Sequence, residues 1–216
     1  MTLGLVDNDV LHKAAAYGVI PMLLDSVPLS IKQYGMLGAA KHIVRKKLQK
    51  RPPQRGAEAA VAQFEIGVAR INEIEPTEEE IRLAAQLELQ AQQLNAELDA
   101  GESLLCAVLT RRGEGYVFTG DKRAIGAAQL LLENNRQLPL EYRLVCLEQM
   151  FLWLLNTEGF AVVRAAVCPE PDVDRALSNC FSCRSSNASE GSCMEGLASY
   201  IASLRTSAPA VLLPEC

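Results

Sequence analysis

The chain has 216 residues, 49% of them hydrophobic and 22% charged, and a net charge of -5 at pH 7. That length suffices for one good core, and the composition excludes a largely disordered chain. The apolar runs are broken by charge, as Glu148 breaks 144–155, and the start lacks the basic flank and long apolar run of an export signal. Neither a membrane-spanning helix nor secretion is therefore expected. Seven scattered cysteines fit a cytoplasmic protein with reduced thiols. The charge is uneven: no acid falls between Asp25 and Glu58, whereas Lys32, Lys41, Arg45, Lys46, Lys47, Lys50, Arg51 and Arg55 all do. Such a basic stretch on an otherwise acidic chain suits contact with phosphates beside an acidic site, or forms only a solvated helix face.

In chain order, Leu3-Gly4-Leu5-Val6 predicts a short buried strand, Asp7 follows it, and Asp9 opens a helical pattern that runs to 24 with a break at Gly18 and Pro21. The segment near Tyr34 fits no single period. From 37 onward Leu37, Ala40, Val44 and Leu48 share a helical face, with Arg45, Lys46 and Lys50 outward. The prolines at 52 and 53 then force an extended loop. A helix over 57–70, a strand over 71–74 and a helix over 77–96 follow. The last starts on Thr77 as cap, with Ile81, Ala84, Ala85, Leu87 and Leu94 as its apolar positions.

Asp99 and Glu102 stand at capping-box spacing before an apolar helix over 103–109. After Gly113 and Gly115, an apolar strand ends at Thr119-Gly120-Asp121, and a helix over 122–132 starts on Asp121 as cap. A strand over 143–147 and an apolar helix with Trp153 complete an alternation that predicts an α/β architecture with a parallel sheet. Beyond Cys168 the chain turns serine-rich, and a last amphipathic helix is expected over 194–204. In an open parallel sheet, ligands bind beyond the carboxyl ends of strands at the topological switch point, where Asp7 and Asp121 would converge.

Three stretches together resemble the PIN-domain family, compact α/β nucleases that cut single-stranded RNA with divalent metal. They are Leu5-Val6-Asp7-Asn8-Asp9-Val10-Leu11, Leu98-Asp99-Ala100-Gly101-Glu102 and Thr119-Gly120-Asp121-Lys122-Arg123-Ala124. Ile74-Glu75-Pro76-Thr77-Glu78-Glu79 also resembles the element before the family's third acidic position. The resemblance covers 1–159 and implies a three-layer PIN-like fold with a central parallel sheet flanked by helices. Residues 160–216 would form a helical C-terminal extension.

What the resemblance implies for the site follows position by position. Asp7, Glu102 and Asp121 match catalytic, metal-holding acids, and Asp9 stands where many members carry asparagine. Asp99 is a further metal-binding candidate, and Thr119 matches a hydroxyl residue near the metal. Asn8, Thr119, Lys122 and Arg123 are the expected substrate contacts, joined by Lys41 and Arg45 from the basic stretch. One departure stands out: the family carries a glutamate on the helix after the second strand, and the matching region from Gly35 to Ile43 has no acid. The implied cofactor is magnesium or manganese, which take hard oxygen ligands and in pairs hydrolyse phosphodiesters. The implied partners are RNA, an inhibitory protein of the kind that pairs with toxin nucleases, and a second copy of the chain.

Each acid also has a structural role open to it, since Asp99 and Asp121 can simply cap helices and Glu102 can complete a capping box. A catalytically inactive PIN-like module that binds RNA or protein is the alternative reading. Asp7-x-Asp9 after a strand also resembles haloacid-dehalogenase-like phosphatases, but no acid follows Asp121 before Glu133, where that family needs one. Finally, Cys180, Cys183 and Cys193 are a weak structural-zinc candidate, with Cys168 or Cys216 as fourth ligand.

Overall fold

A computed structural model describes residues 2–214. The first half of the chain gives β1 (Leu3–Val6), α1 (Asn8–Tyr17), α2 (Ile20–Asp25), β2 (Gln33–Leu37), α3 (Ala40–Lys50), α4 (Ala57–Val68), β3 (Asn72–Ile74) and α5 (Glu78–Gln93). There follow α6 (Ala100–Arg112), β4 (Gly115–Thr119), α7 (Lys122–Asn134), β5 (Leu144–Cys146), α8 (Leu147–Glu158), α9 (Phe160–Val167), α10 (Arg175–Cys180) and α11 (Glu190–Ser207). All five strands are parallel, in the order β3-β2-β1-β4-β5. The chain moves outward from β1 through β2 to β3 and then returns to the other side of β1, so the switch point lies between β1 and β4.

The alternation of side chains along each strand feeds two cores, as expected of a parallel sheet buried on both faces. Val6, Met36, Phe118 and Val145 face α1 to α4 and α8 to α10. Leu5, Leu37, Ile74, Val117 and Leu144 face α5 to α7. The result is an α/β fold with helices on both sides of a parallel sheet. The segment after Gly159 is part of the same cores: Val163, Val167, Leu177 and Phe181 pack with α1 and α8. In α11, Cys193 and Leu197 join one core and Ile201 and Leu204 the other. The tail then runs beside β5, where the Leu144 N–H donates to the Val211 carbonyl at 2.9 Å and the Leu213 N–H to the Leu144 carbonyl at 2.7 Å.

Two sequence expectations need correction. Leu37 ends strand β2 instead of starting a helix, and the helical face begins at Ala40, with Ala40, Val44 and Leu48 fully buried. The strand signal is weak because Gly35 sits at its centre, where a Cβ would overlap the Ile74 side chain from β3. On α5 the buried face is Glu80, Ala84, Leu87 and Ala91, while Ile81 is 53% exposed. Glu80 turns inward because Arg112 pairs with it at 2.7 Å and it closes the capping box with Thr77.

The contact between β1 and β4 is unusually close at Gly115, where a Cβ would overlap the Leu3 carbonyl oxygen. Because that neighbour is backbone, Gly115→Ala is expected to destabilise the protein by about 1–3 kcal/mol. Urea unfolding measures this, and an unchanged midpoint would contradict the approach of the two strands.

Candidate functional site

Asp7 ends β1 and caps α1, its carboxylate accepting from the Asn8 N–H at 2.7 Å. The Thr119 hydroxyl, at the end of β4, donates to the other Asp7 oxygen at 3.2 Å and accepts from the Asp121 N–H at 3.1 Å. Thr119 thus ties the two strand ends together across the switch point. Asp7, Glu102, Thr119 and Cys106 line a cavity of about 10 Å³, roughly the smallest that holds one water.

Both Asp7 and Glu102 are buried. Burial pushes the Asp7 carboxyl up to about 6, against the opposing hydrogen bond from the Asn8 N–H. Burial pushes Glu102 up to about 8; the Asp99 N–H opposes the rise, while the charges of Asp99, Asp121 and Asp7 add to it. Four of the expected acids therefore feel one another here. Among the described residues, neither Asp7 nor Glu102 has a lysine or arginine ion-pair partner.

The remaining acids are engaged. Asp99 accepts from the Glu102 N–H at 2.8 Å and Glu102 from the Asp99 N–H at 3.0 Å, so the capping box exists as read. For Asp121, burial works upward, but the Arg123 side chain and N–H outweigh it and hold the carboxyl below its usual range. Its ion pair with Arg123 is 2.7 Å long, and Arg123 also reaches Glu97. Asp9 turns to the neighbouring groove, pairing with Lys13 at 2.6 Å and Lys47 at 3.6 Å.

Among the expected substrate contacts, Asn8 lies on the first turn of α1, its amide nitrogen 4.0 Å from where a Gly101 side chain would begin. Lys122 pairs with Glu148 at 2.6 Å and sits 4.5 Å above the Tyr200 ring. Lys41 is bound to Glu73 and Arg45 to Glu65, so both charges are already matched. Sequence reading missed Glu148 and the Lys13 to Asp174 pair at 2.8 Å. A signal for Glu148 existed: like Asp7 and Asp121, it follows closely on the end of a strand, here β5. It too is buried, at 4% exposure.

The donor chemistry of Asp7 and Glu102 fits a hard divalent cation, since both are buried oxygen ligands without a compensating charge. Their arrangement fits less well. Among the described residues no group of three or more His, Cys, Asp or Glu is placed to hold one metal ion, and Asp121 joins only by leaving Arg123.

The thiols depart from expectation. Cys168 and Cys183 form a disulfide, so these two are not reduced and Cys183 is no longer available to zinc. Cys180 and Cys193 are free and buried. Cys216 lies outside the described residues. No described helix is long and apolar enough to cross a membrane.

His12 presents a further unsatisfied group. Both ring nitrogens are buried without a hydrogen-bond partner, an arrangement that costs about 1–3 kcal/mol. Burial, and then the Lys47 charge, push its pKa down to about 4 and keep the ring neutral.

Comparison with protein-family models, with curated proteins and with solved structures finds no match.

Proposed function

We propose that the protein is a PIN-like, magnesium- or manganese-dependent ribonuclease, with the carboxylates at the β1/β4 switch point as its centre. The observation that carries this reading is the pair Asp7 and Glu102, buried at the carboxyl end of the sheet with no basic partner. Buried carboxylates of this kind are commonly protonated or metal-bound. When bound, magnesium or manganese supplies Lewis-acid activation of water and charge neutralisation at a phosphodiester. In that role Asp7 and Glu102 hold the cation, the Thr119 hydroxyl fixes the Asp7 carboxylate, and Asp121 adds a third oxygen donor once free of Arg123. The same sequence resemblance adds a toxin-like role, an inhibitory partner protein and a homodimer to the proposal.

The alternative is a module that binds RNA or protein without cleaving. It is favoured by the Arg123 bond to Asp121, by the small closed cavity and by the lack of any acid on α3.

Thermal stability with and without manganese, alongside cleavage of a mixed RNA pool, separates the two. Wild type is expected to gain stability with manganese and to cleave. Asp7→Asn and Asp121→Asn are expected to lose cleavage by at least about a hundredfold, as befits several kcal/mol of lost charge stabilisation. No cleavage and no manganese effect in wild type would leave the binding module as the reading.

A further inference from the structure

A cavity of about 440 Å³ lies beside Asp9, between α1, α3, the turn at 51–56 and the 170–173 segment. That size is typical of small-molecule sites. Its walls combine cations with apolar surface: Lys13, Lys47 and Arg51 together with Pro52, Pro53 and Val173. The acids in the wall are already matched. Asp9 holds Lys13 at 2.6 Å and faces Lys47 at 3.6 Å, and Asp172 faces Arg184 at 3.8 Å. Glu170 accepts the N–H groups of Gln54 at 2.6 Å and Arg55 at 2.8 Å.

Two groups in the same wall are unspent. The Arg51 guanidinium has no ion pair or hydrogen bond among the described residues. The His12 ring has both nitrogens unsatisfied. An uncharged imidazole offers one donor and one acceptor, while a guanidinium offers a planar fork matched to phosphate oxygens. Asp9, in the cavity wall, also borders the switch point, its Oδ2 lying 2.5 Å from where a Gly120 side chain would begin.

We propose that this cavity binds a single phosphate-bearing nucleotide unit, its phosphate held by Lys47 and Arg51 and its ring against the prolines. Calling it a substrate subsite rests on the nuclease reading; the binding itself needs neither metal nor catalysis. Lys47 and Arg51 both belong to the basic stretch that the sequence marked for phosphate contact, of which Lys41 and Arg45 are bound to glutamates and Lys47 faces Asp9 at 3.6 Å.

The test is calorimetric titration of the full chain in chelator-containing buffer with adenosine monophosphate, adenosine and inorganic phosphate. The monophosphate is expected to bind at least tenfold more tightly than either fragment, and more weakly as salt rises. The double variant Lys47→Gln/Arg51→Gln is expected to lose at least tenfold in affinity with an unchanged melting temperature. Removing the same charge on another face, by Arg82→Gln/Arg136→Gln, is expected to change nothing. Equal binding of adenosine, equal binding of inorganic phosphate, or full affinity in the Lys47/Arg51 variant would each overturn the proposal, as would no binding at millimolar monophosphate. A chain that binds the nucleotide yet never cleaves RNA sinks the nuclease reading alone. One that cleaves RNA but ignores the nucleotide sinks this inference alone.

Discussion

Without metal, the protein is expected to lose stability steadily as pH rises from 5 to 8, and Glu102→Gln to abolish most of that loss. Glu102 shifts from 4.5 to about 8 on folding, so across this window the folded state holds a proton that the unfolded chain has released. A raised carboxyl of this kind contributes its full stability below pH 4.5 and has lost it above about 8. At about 1.4 kcal/mol per pH unit, the change from pH 5 to 8 amounts to roughly 4 kcal/mol, a large share of a typical total of about 5–15 kcal/mol. Asp7, raised from 3.8 to about 6, adds to the slope at its acid end. The amide in Glu102→Gln still accepts the Asp99 N–H but carries no charge to desolvate. The variant should therefore match wild type near pH 5 and exceed it by a few kcal/mol at pH 8. Manganese should rescue wild type at pH 8, do little at pH 5 and do nothing for the variant. Chemical unfolding at three pH values decides the matter. A flat wild-type profile would mean that Glu102 is not a buried, unpaired acid in solution.

The second large effect is expected in the core that joins the sheet to the C-terminal helices. Phe151 on α8 is fully buried and packs edge-on against Tyr17 of α1, at 5.8 Å between ring centroids, and against Phe181 at 6.4 Å. Phe181 in turn stacks on Phe160 of α9. Phe151→Ala removes both ring contacts and leaves a cavity that rigid neighbours close only in part. A loss of about 3–5 kcal/mol follows, or roughly 6–20 °C in melting temperature for a chain of this size. Phe151→Leu, which keeps most of the volume, should cost less than half as much. If Phe151→Ala melted within a degree of wild type, residues 160–207 would have to pack elsewhere.

Much of the switch-point geometry was legible because it depends on local chemistry. A strand ending on an aspartate that also caps the next helix is a pattern of a few residues, and both Asp7 and Asp121 follow it. The capping box of Asp99 and Glu102 is equally local. What escaped depends on distant partners. Glu80 reads as a first-turn carboxylate until Arg112, 32 residues on, draws it inward. Lys41 and Arg45 read as free cations until the fold brings Glu73 and Glu65 to them. Asp121 reads as a metal ligand, although an arginine two residues away bonds to it. That last contact is short-range and open to inspection in the sequence; only side-chain direction hides it. The serine-rich stretch after Cys168 gives little sign of its place in the core because its anchors, such as Leu177 and Phe181, are single apolar residues that pack with α1 and α8.

The placement of the tail beside β5 bears on how the chain reaches its native state. The central strand β1 needs β4, and β5 needs residues 210–213 along its outer side. The five strands are complete by Cys146, but the outer side of β5 is covered only by residues 210–213, a long-range pairing of the kind that makes for slow folding. Until that pairing forms, the N–H and C=O of Leu144 stand open at the outer edge of the apolar β5. An uncovered edge of that composition recruits strands from other molecules. Residues 208–213 thus cover an edge of the kind that invites such pairing, as well as completing the core.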